Sequence, residues 1–92
     1  MSQTVEKLAE RRRRAIYRAS HRGTKEMDLV LGRFAAANVE AMDEQELGVF
    51  ERLLTLPDPD LNQWTMFGSP NAQEADLSRL FVRIRQFHGL ES

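Results

Sequence analysis

Residues 22–28 read Arg-Gly-Thr-Lys-Glu-Met-Asp, and this heptapeptide decides how the first half of the chain folds. On both sides of it, apolar residues recur every three or four positions, which is the period of an amphipathic helix. Gly23 suits the left-handed position that ends a helix, and Thr24 suits the capping position that begins one. The heptapeptide therefore predicts a corner between two packed helices that presents an arginine, a glycine and a carboxylate to solvent.

The same helical period continues through the rest of the sequence. Asp43 with Glu46 three residues later is typical of a capping box, and so is Asn71 with Glu74. Pro57 ends the third helix, and Asp58 is predicted to cap the fourth. No run of four to eight residues alternates as a half-buried strand does. The pattern predicts five helices over residues 4–21, 25–38, 44–56, 59–67 and 72–88.

Length and loop spacing define the fold class. Ninety-two residues are enough for one domain, and the short connections leave no room for a linker. Five short helices around one small core must cross at several angles. We expect residues 1–92 to form an all-α, compact five-helix orthogonal bundle that is a single domain and a monomer when free.

Composition excludes several classes of function. The chain has no cysteine, which rules out disulfides and thiolate metal sites. No segment approaches the roughly 18 apolar residues of a membrane span, and the first residues do not read as a secretory signal. We therefore expect a cytoplasmic protein that is not inserted in a membrane.

Charge is distributed unevenly along the chain. The overall net charge is −1, yet residues 1–25 carry +6 and residues 26–92 carry −7. A basic first helix on an acidic body allows ion pairs within the molecule and also a bipolar surface for a partner.

The sequence offers no self-sufficient catalytic, metal or cofactor site. His21 and His88 each lie at a predicted helix end without a second ligand at helical spacing, where a histidine usually interacts with unpaired carbonyls. No serine has a G-x-S-x-G context, and the isolated glycines form no phosphate-binding loop. We expect a protein that is not an enzyme.

The run Arg11–Arg14 permits two interpretations. Four consecutive helical positions spread over about 300° of the helix circumference, so they form no single flat face. A solvated helix with internal pairs such as Glu10–Arg14 is favoured, with the stem of Arg12 along the apolar face and its charged group in water. A nucleic-acid-binding helix is the alternative, although only Tyr17 supplies an aromatic ring nearby.

Local physics alone does not decide the role of the corner. Arg22 suits a helix C-terminus, and Glu26 suits a first turn. Each residue thus has a structural explanation beside a functional one, and a generic interaction adaptor also remains open.

Two blocks of the sequence resemble the succinate dehydrogenase assembly factor family. Arg22-Gly23-x-x-Glu26 followed by Asp28 is similar to the R-G-x-x-E signature of its bacterial and mitochondrial members. Phe50-x-x-Leu53-Leu54, Asp58-Pro59-Asp60-Leu61 and Trp64 are similar to a second block of that family at the matching distance. The resemblance extends from about His21 to Ile84.

The resemblance implies a function without an active site in this chain. Members of the family bind the flavoprotein subunit of succinate dehydrogenase, and in some bacteria that of fumarate reductase. They promote covalent attachment of FAD to a histidine of that subunit, so FAD is handled on the partner. The resemblance implies no nucleic-acid partner. It makes the following residues candidates for partner binding: Arg22, Gly23, Glu26, Asp28, Asp60 and Trp64.

This chain departs from the family pattern at two places. His21 replaces the second arginine of many relatives. Thr65 and Met66 follow the tryptophan where relatives often have an apolar pair. The second departure bears on how the fourth helix packs.

Overall fold

The computed structural model describes residues 3–67 and 75–89, and in these ranges the chain is helical with no strand. The helices are α1 (Gln3–Ser20), α2 (Lys25–Asn38), the short 3₁₀ helix η1 (Val39–Ala41), α3 (Glu44–Leu54), α4 (Asp58–Phe67) and α5 (Ala75–Phe87). The all-α prediction with five α-helices is confirmed.

The predicted helix starts depend on local side chains, and two of them are confirmed. The Thr24 hydroxyl accepts a hydrogen bond from the Met27 amide at 3.3 Å. The Asp43 carboxylate accepts from the Glu46 amide, while the Glu46 side chain accepts from the Asp43 amide. Both arrangements satisfy amides that a helix start leaves without a partner. The capping pattern predicted at Asn71 and Glu74 lies outside the described residues.

Several helix ends differ from the prediction by one or two residues. α1 ends at Ser20 and α3 at Leu54, where the Thr55 and Leu56 amides each bond back three residues and tighten the last turn. Asp58 is the first residue of α4 rather than its cap, because the Pro57 carbonyl accepts from the Leu61 amide at 3.0 Å. α5 is described from Ala75 to Phe87, within the predicted 72–88.

The core is built from the apolar stripes of all five helices and from η1, which the sequence did not predict. Its fully buried side chains include Phe34, Phe50, Phe81, Leu31, Met42, Leu47, Leu53, Leu61, Ile84 and Val39. α1 and α2 approach closely, because Gly32 of α2 faces Ser20 of α1 without a side chain between them. α4 packs chiefly on α5, and α2 packs chiefly on α1.

Two arginines of the basic run bind other parts of the chain. The Arg11 guanidinium donates to both carboxylate oxygens of Glu51, at 3.1 and 2.7 Å. Those hydrogen bonds raise the pKa of Arg11 above its ordinary value. Arg12 donates from Nη2 to the Met42 carbonyl at 2.6 Å, and its Nε is buried. The prediction that the charged group of Arg12 lies in water is therefore wrong: the guanidinium binds a carbonyl that follows η1.

Candidate partner-binding site

Gly23 forms the exposed tip of the corner between α1 and α2. Its φ is +115°, a conformation that residues with a side chain rarely adopt. Apart from Gly23 and its two neighbours in the sequence, no atom of the described residues lies within 4 Å of the position that a β-carbon would occupy there. The sequence therefore needs glycine here for backbone conformation, and the glycine leaves open space in front of the corner.

Asp28 holds the corner in shape from within. Its Oδ1 accepts hydrogen bonds from the backbone amides of Arg22 and Gly23, the latter at 3.3 Å. Both donors belong to the connection between the helices, and the acceptor belongs to the first turn of α2. The Asp28 carboxylate therefore fixes the angle at which the chain leaves α1 and enters α2.

Arg22 is turned inward, contrary to the expectation that its guanidinium projects to solvent. Its Nη2 lies 2.8 Å from Asp58 Oδ1, and its Nε donates to the same oxygen at 3.0 Å. Nη1 donates to the Leu54 carbonyl, and Nη2 donates to the Leu56 carbonyl at 2.7 Å. Only 14% of the side chain is exposed. The physical reason is that α3 ends at Leu54 and leaves carbonyls without helical partners, which an arginine satisfies well.

Glu26 is the acidic group that the corner presents to solvent. It is exposed in the first turn of α2 and makes no hydrogen bond or ion pair with any residue that the structure describes. Beside it is a shallow groove of about 250 Å³ that joins the starts of α2 and α4. The groove is lined by Thr24, Glu26, Met27, Asp58, Pro59 and Asn62.

Asp60 and Trp64 lie on α4 and differ in their surroundings. Asp60 is exposed in the first turn of that helix, and within the described ranges it has no hydrogen-bonding or ionic partner. Trp64 is half-buried and packs against the core, with its ring edge-to-face with Phe81 at 5.4 Å between centroids. The geometry gives Trp64 a packing role, whereas Asp60 is accessible to a partner.

Both histidines contact backbone carbonyls, but only His21 contacts the end of its own helix as its position predicts. His21 donates from Nδ1 to the Tyr17 carbonyl at 2.8 Å and stacks on the Tyr17 ring. His88 donates from Nε2 to the Val30 carbonyl of α2 at 2.8 Å, and this tertiary contact was not predicted.

Across the described residues, no three histidine or acidic side chains are grouped so that they hold a metal ion. None of the helices there has the length and apolar character needed to cross a membrane.

The fold and the corner define a class of small all-helical protein. Its polar surface contains a glycine with open space in front of it, Gly23, and an exposed acid, Glu26. Residues 13–88 match the family described as the flavinator of succinate dehydrogenase. The chain therefore belongs to that family.

Individual relatives carry related descriptions. An FAD assembly factor SdhE of Acetobacter pasteurianus is 49% identical over 61 residues, which are 66% of this chain and 55% of the relative. A mitochondrial succinate dehydrogenase assembly factor 2 of Dictyostelium discoideum is 39% identical over 62 residues, 67% of this chain and 42% of the relative.

The corresponding protein of Saccharomyces cerevisiae is 33% identical over 90 residues, which are 95% of this chain and 56% of the relative. The chain thus spans about half the length of the curated relatives that it matches. No solved structure matches it.

Proposed function

We propose that this chain is an assembly factor that binds the flavoprotein subunit of succinate dehydrogenase and promotes covalent attachment of FAD to it. Two kinds of observation support the proposal. The family match covers residues 13–88, and the corner that carries the R-G-x-x-E pattern leaves Gly23 open and Glu26 without a described partner. The family match carries the proposal, and the corner supplies a surface suited to close contact with another backbone.

The contact surface consists of Gly23, Glu26 and Asp60. A glycine at the tip allows the partner's backbone to approach, since a β-carbon there fills the space in front of the corner. The Glu26 carboxylate accepts hydrogen bonds from the partner, and such charge-assisted bonds are stronger than neutral ones. Asp60, which is exposed in the first turn of α4, adds a second acid to this surface, while Asp28 and Trp64 support it from within.

The chain acts by positioning and supplies no catalytic group of its own. FAD is the substrate of the attachment and is held by the flavoprotein, and this chain does not bind a cofactor stably. Binding of the assembly factor holds the flavin and the acceptor histidine of the flavoprotein in a reactive arrangement. Fixing two reacting groups in this way removes much of the entropic cost of bringing them together.

We also propose where the chain acts and which second flavoprotein it binds. The free factor is a cytoplasmic monomer. The flavoprotein of fumarate reductase is a second partner of the same kind. The bacterial FAD assembly factor that is 49% identical over 61 residues supports this setting.

The nucleic-acid alternative receives less support from the structure. Arg11 and Arg12 are held by Glu51 and the Met42 carbonyl, which leaves Arg13 and Arg14 as the exposed members of the run. The family match does not favour this alternative.

Flavin fluorescence in a denaturing gel tests the proposal. The flavoprotein subunit is taken from cells that contain or lack this chain, and covalently bound flavin survives denaturation and fluoresces in the band. We expect strong fluorescence with the chain and a large loss without it, at equal amounts of flavoprotein. Equal fluorescence in both strains, or an effect of the deletion on flavoprotein abundance alone, contradicts the proposed function.

A further inference from the structure

We propose that Arg22 is a positioning residue: it acts through Asp58 to fix the first turn of α4 beside Glu26, and it does not itself contact the partner. This inference rests on the proposed function, because the placement of α4 matters for binding only if the Glu26 surface contacts the flavoprotein. It also assigns different roles to the arginine and the acid of one motif.

The hydrogen-bonding capacity of Arg22 is largely used within the chain. Its Nε and both Nη atoms bind Asp58 and the carbonyls of Leu54 and Leu56. Turning the guanidinium toward a partner requires all of these contacts to break at once. It also leaves Asp58, which is only 28% exposed, without its cation. Breaking a part-buried ion pair on one side is costly, because the remaining charge stays poorly solvated.

The same residue joins the two sides of the groove. The backbone amide of Arg22 is bound by Asp28 of α2, and its side chain is bound at the α3–α4 junction. Direct packing of α2 on α4 supplies little of this link, because α2 packs chiefly on α1 and α4 chiefly on α5. The contacts of Arg22 therefore form a polar clamp between the corner and the first turn of α4.

Loss of the clamp changes the shape of the binding surface, although Gly23, Glu26 and Asp60 themselves stay the same. When Arg22 is removed, the Leu54 and Leu56 carbonyls and the Asp58 carboxylate lose their shared donor, and the start of α4 is released. The groove between Glu26 and Asn62 then loses its fixed width. Lysine does not replace the arginine, because one ammonium group cannot reproduce a planar fork directed at three acceptors.

A double-mutant cycle tests whether Arg22 acts through Asp58. The affinity of the purified flavoprotein subunit is measured for the wild type, Arg22→Gln, Asp58→Asn and the double variant, at a temperature where all four are folded by circular dichroism. We expect each single change to weaken binding at least tenfold, and the double variant to bind no more weakly than the weaker single variant. Independent effects that multiply in the double variant overturn the proposal. Wild-type affinity in Asp58→Asn beside a large loss in Arg22→Gln overturns it as well, since it places Arg22 directly on the partner.

A measurement on the free chain separates failure of the clamp from failure of the proposed function. In ¹H–¹⁵N spectra, Arg22→Gln should shift the amides of Asp58, of residues 60–62 and of Glu26, and Arg22→Lys should shift them similarly. Unchanged amides at Asp58 and in residues 60–62 overturn the clamp, whether or not the flavoprotein binds. If Arg22→Gln shifts these amides but the wild-type chain does not bind the flavoprotein, the proposed function is wrong. The role of Arg22 in binding is then wrong too, although the clamp itself exists.

Arg11→Gln is the matched control for both measurements. It removes another interhelical ion pair, that between Arg11 and Glu51, whose atoms lie 2.7 Å apart. We expect it to shift amides in α1 and α3 and to leave affinity for the flavoprotein within twofold. A tenfold loss of affinity in Arg11→Gln shows that any lost ion pair weakens binding, and so overturns the specific role of Arg22.

Discussion

Arg22 and Asp58 are 36 positions apart in the sequence, and the guanidinium of the first lies 2.8 Å from the carboxylate of the second. The pair connects the two sequence blocks that carry the family resemblance. It places the arginine of the R-G-x-x-E pattern inside the molecule and leaves the glycine and the glutamate at the surface. The motif thus combines a structural link with a binding surface, and the two roles require different tests.

Glu26→Gln should separate the surface role from folding. The side chain is exposed and has no partner in the described part of the chain, so only its interaction with the helix dipole is lost. We expect the free energy of unfolding to change by well under about 1 kcal/mol. Affinity for the flavoprotein should fall roughly tenfold or more, since a hydrogen bond to a charged group contributes about 1.5–3 kcal/mol.

Calorimetric binding and urea unfolding measure these two quantities for Glu26→Gln. Glu40→Gln is the control, because Glu40 is also exposed but belongs to η1. Full flavin attachment by a folded Glu26→Gln variant shows that the carboxylate has no role in binding.

Gly23→Ala should impair both stability and binding. At φ +115° an alanine is strained, and we expect a cost of about 1 kcal/mol or more. Gly89→Ala provides the control, because Gly89 also has positive φ, at +72°, and open space around it. Thermal unfolding should detect strain in both variants, whereas only Gly23→Ala should lower flavin attachment at a temperature where both are folded. Equal attachment by the two variants contradicts close approach of the partner at Gly23.

Two helical glycines should respond to alanine in opposite directions. At Gly32 a β-carbon comes within 3.3 Å of the Ser20 Cα and 3.0 Å of its Oγ. Since a backbone atom is involved, we expect a loss of about 1–3 kcal/mol. At Gly48 the nearest atom is the Arg11 Nη2 at 4.0 Å, and the higher helix propensity of alanine should add up to about 1 kcal/mol. Urea unfolding of the two variants checks the contrast, and a Gly32→Ala variant as stable as Gly48→Ala contradicts the close packing of α1 on α2.

Thr65→Val should stabilise the protein. Thr65 is 1% exposed, and its hydroxyl finds no hydrogen-bond partner among the described residues. Valine has nearly the same shape and removes the buried polar group, so we expect a gain of about 1 kcal/mol. Thr55→Val is the comparison, because the Thr55 hydroxyl donates to the Arg52 carbonyl at 2.6 Å. The unfolding temperature of Thr65→Val should be higher than that of the wild type, and that of Thr55→Val should be lower. A destabilised Thr65→Val variant indicates that the hydroxyl has a partner.

Features set by neighbouring residues could be predicted from the sequence. The cap at Thr24, the capping box of Asp43 and Glu46 and the positive φ of Gly23 each involve atoms within three residues of one another. The spacing of apolar residues likewise located all five helices, because a helix that buries one face needs an apolar residue every three or four positions.

Features set by tertiary contacts could not be predicted. Arg22 was expected either to serve the end of its own helix or to project toward a partner, but it serves the carbonyls at the end of α3, 32 and 34 positions away. Asp28 was a candidate for partner binding, and its carboxylate binds the amides of the corner within the chain. The same residue types fit a local role and a tertiary role equally well. Only the packing of α3 and α4 shows which role each side chain has.

Cross-saturation from the flavoprotein subunit to the amides of the isotopically labelled chain shows where the partner binds. We predict that the amides of Gly23 and Glu26 lose the most intensity, with those of the first turn of α4 next. Unaffected signals at this corner, together with loss of intensity along the outer face of α1 at Arg14 and Arg18, contradict this prediction.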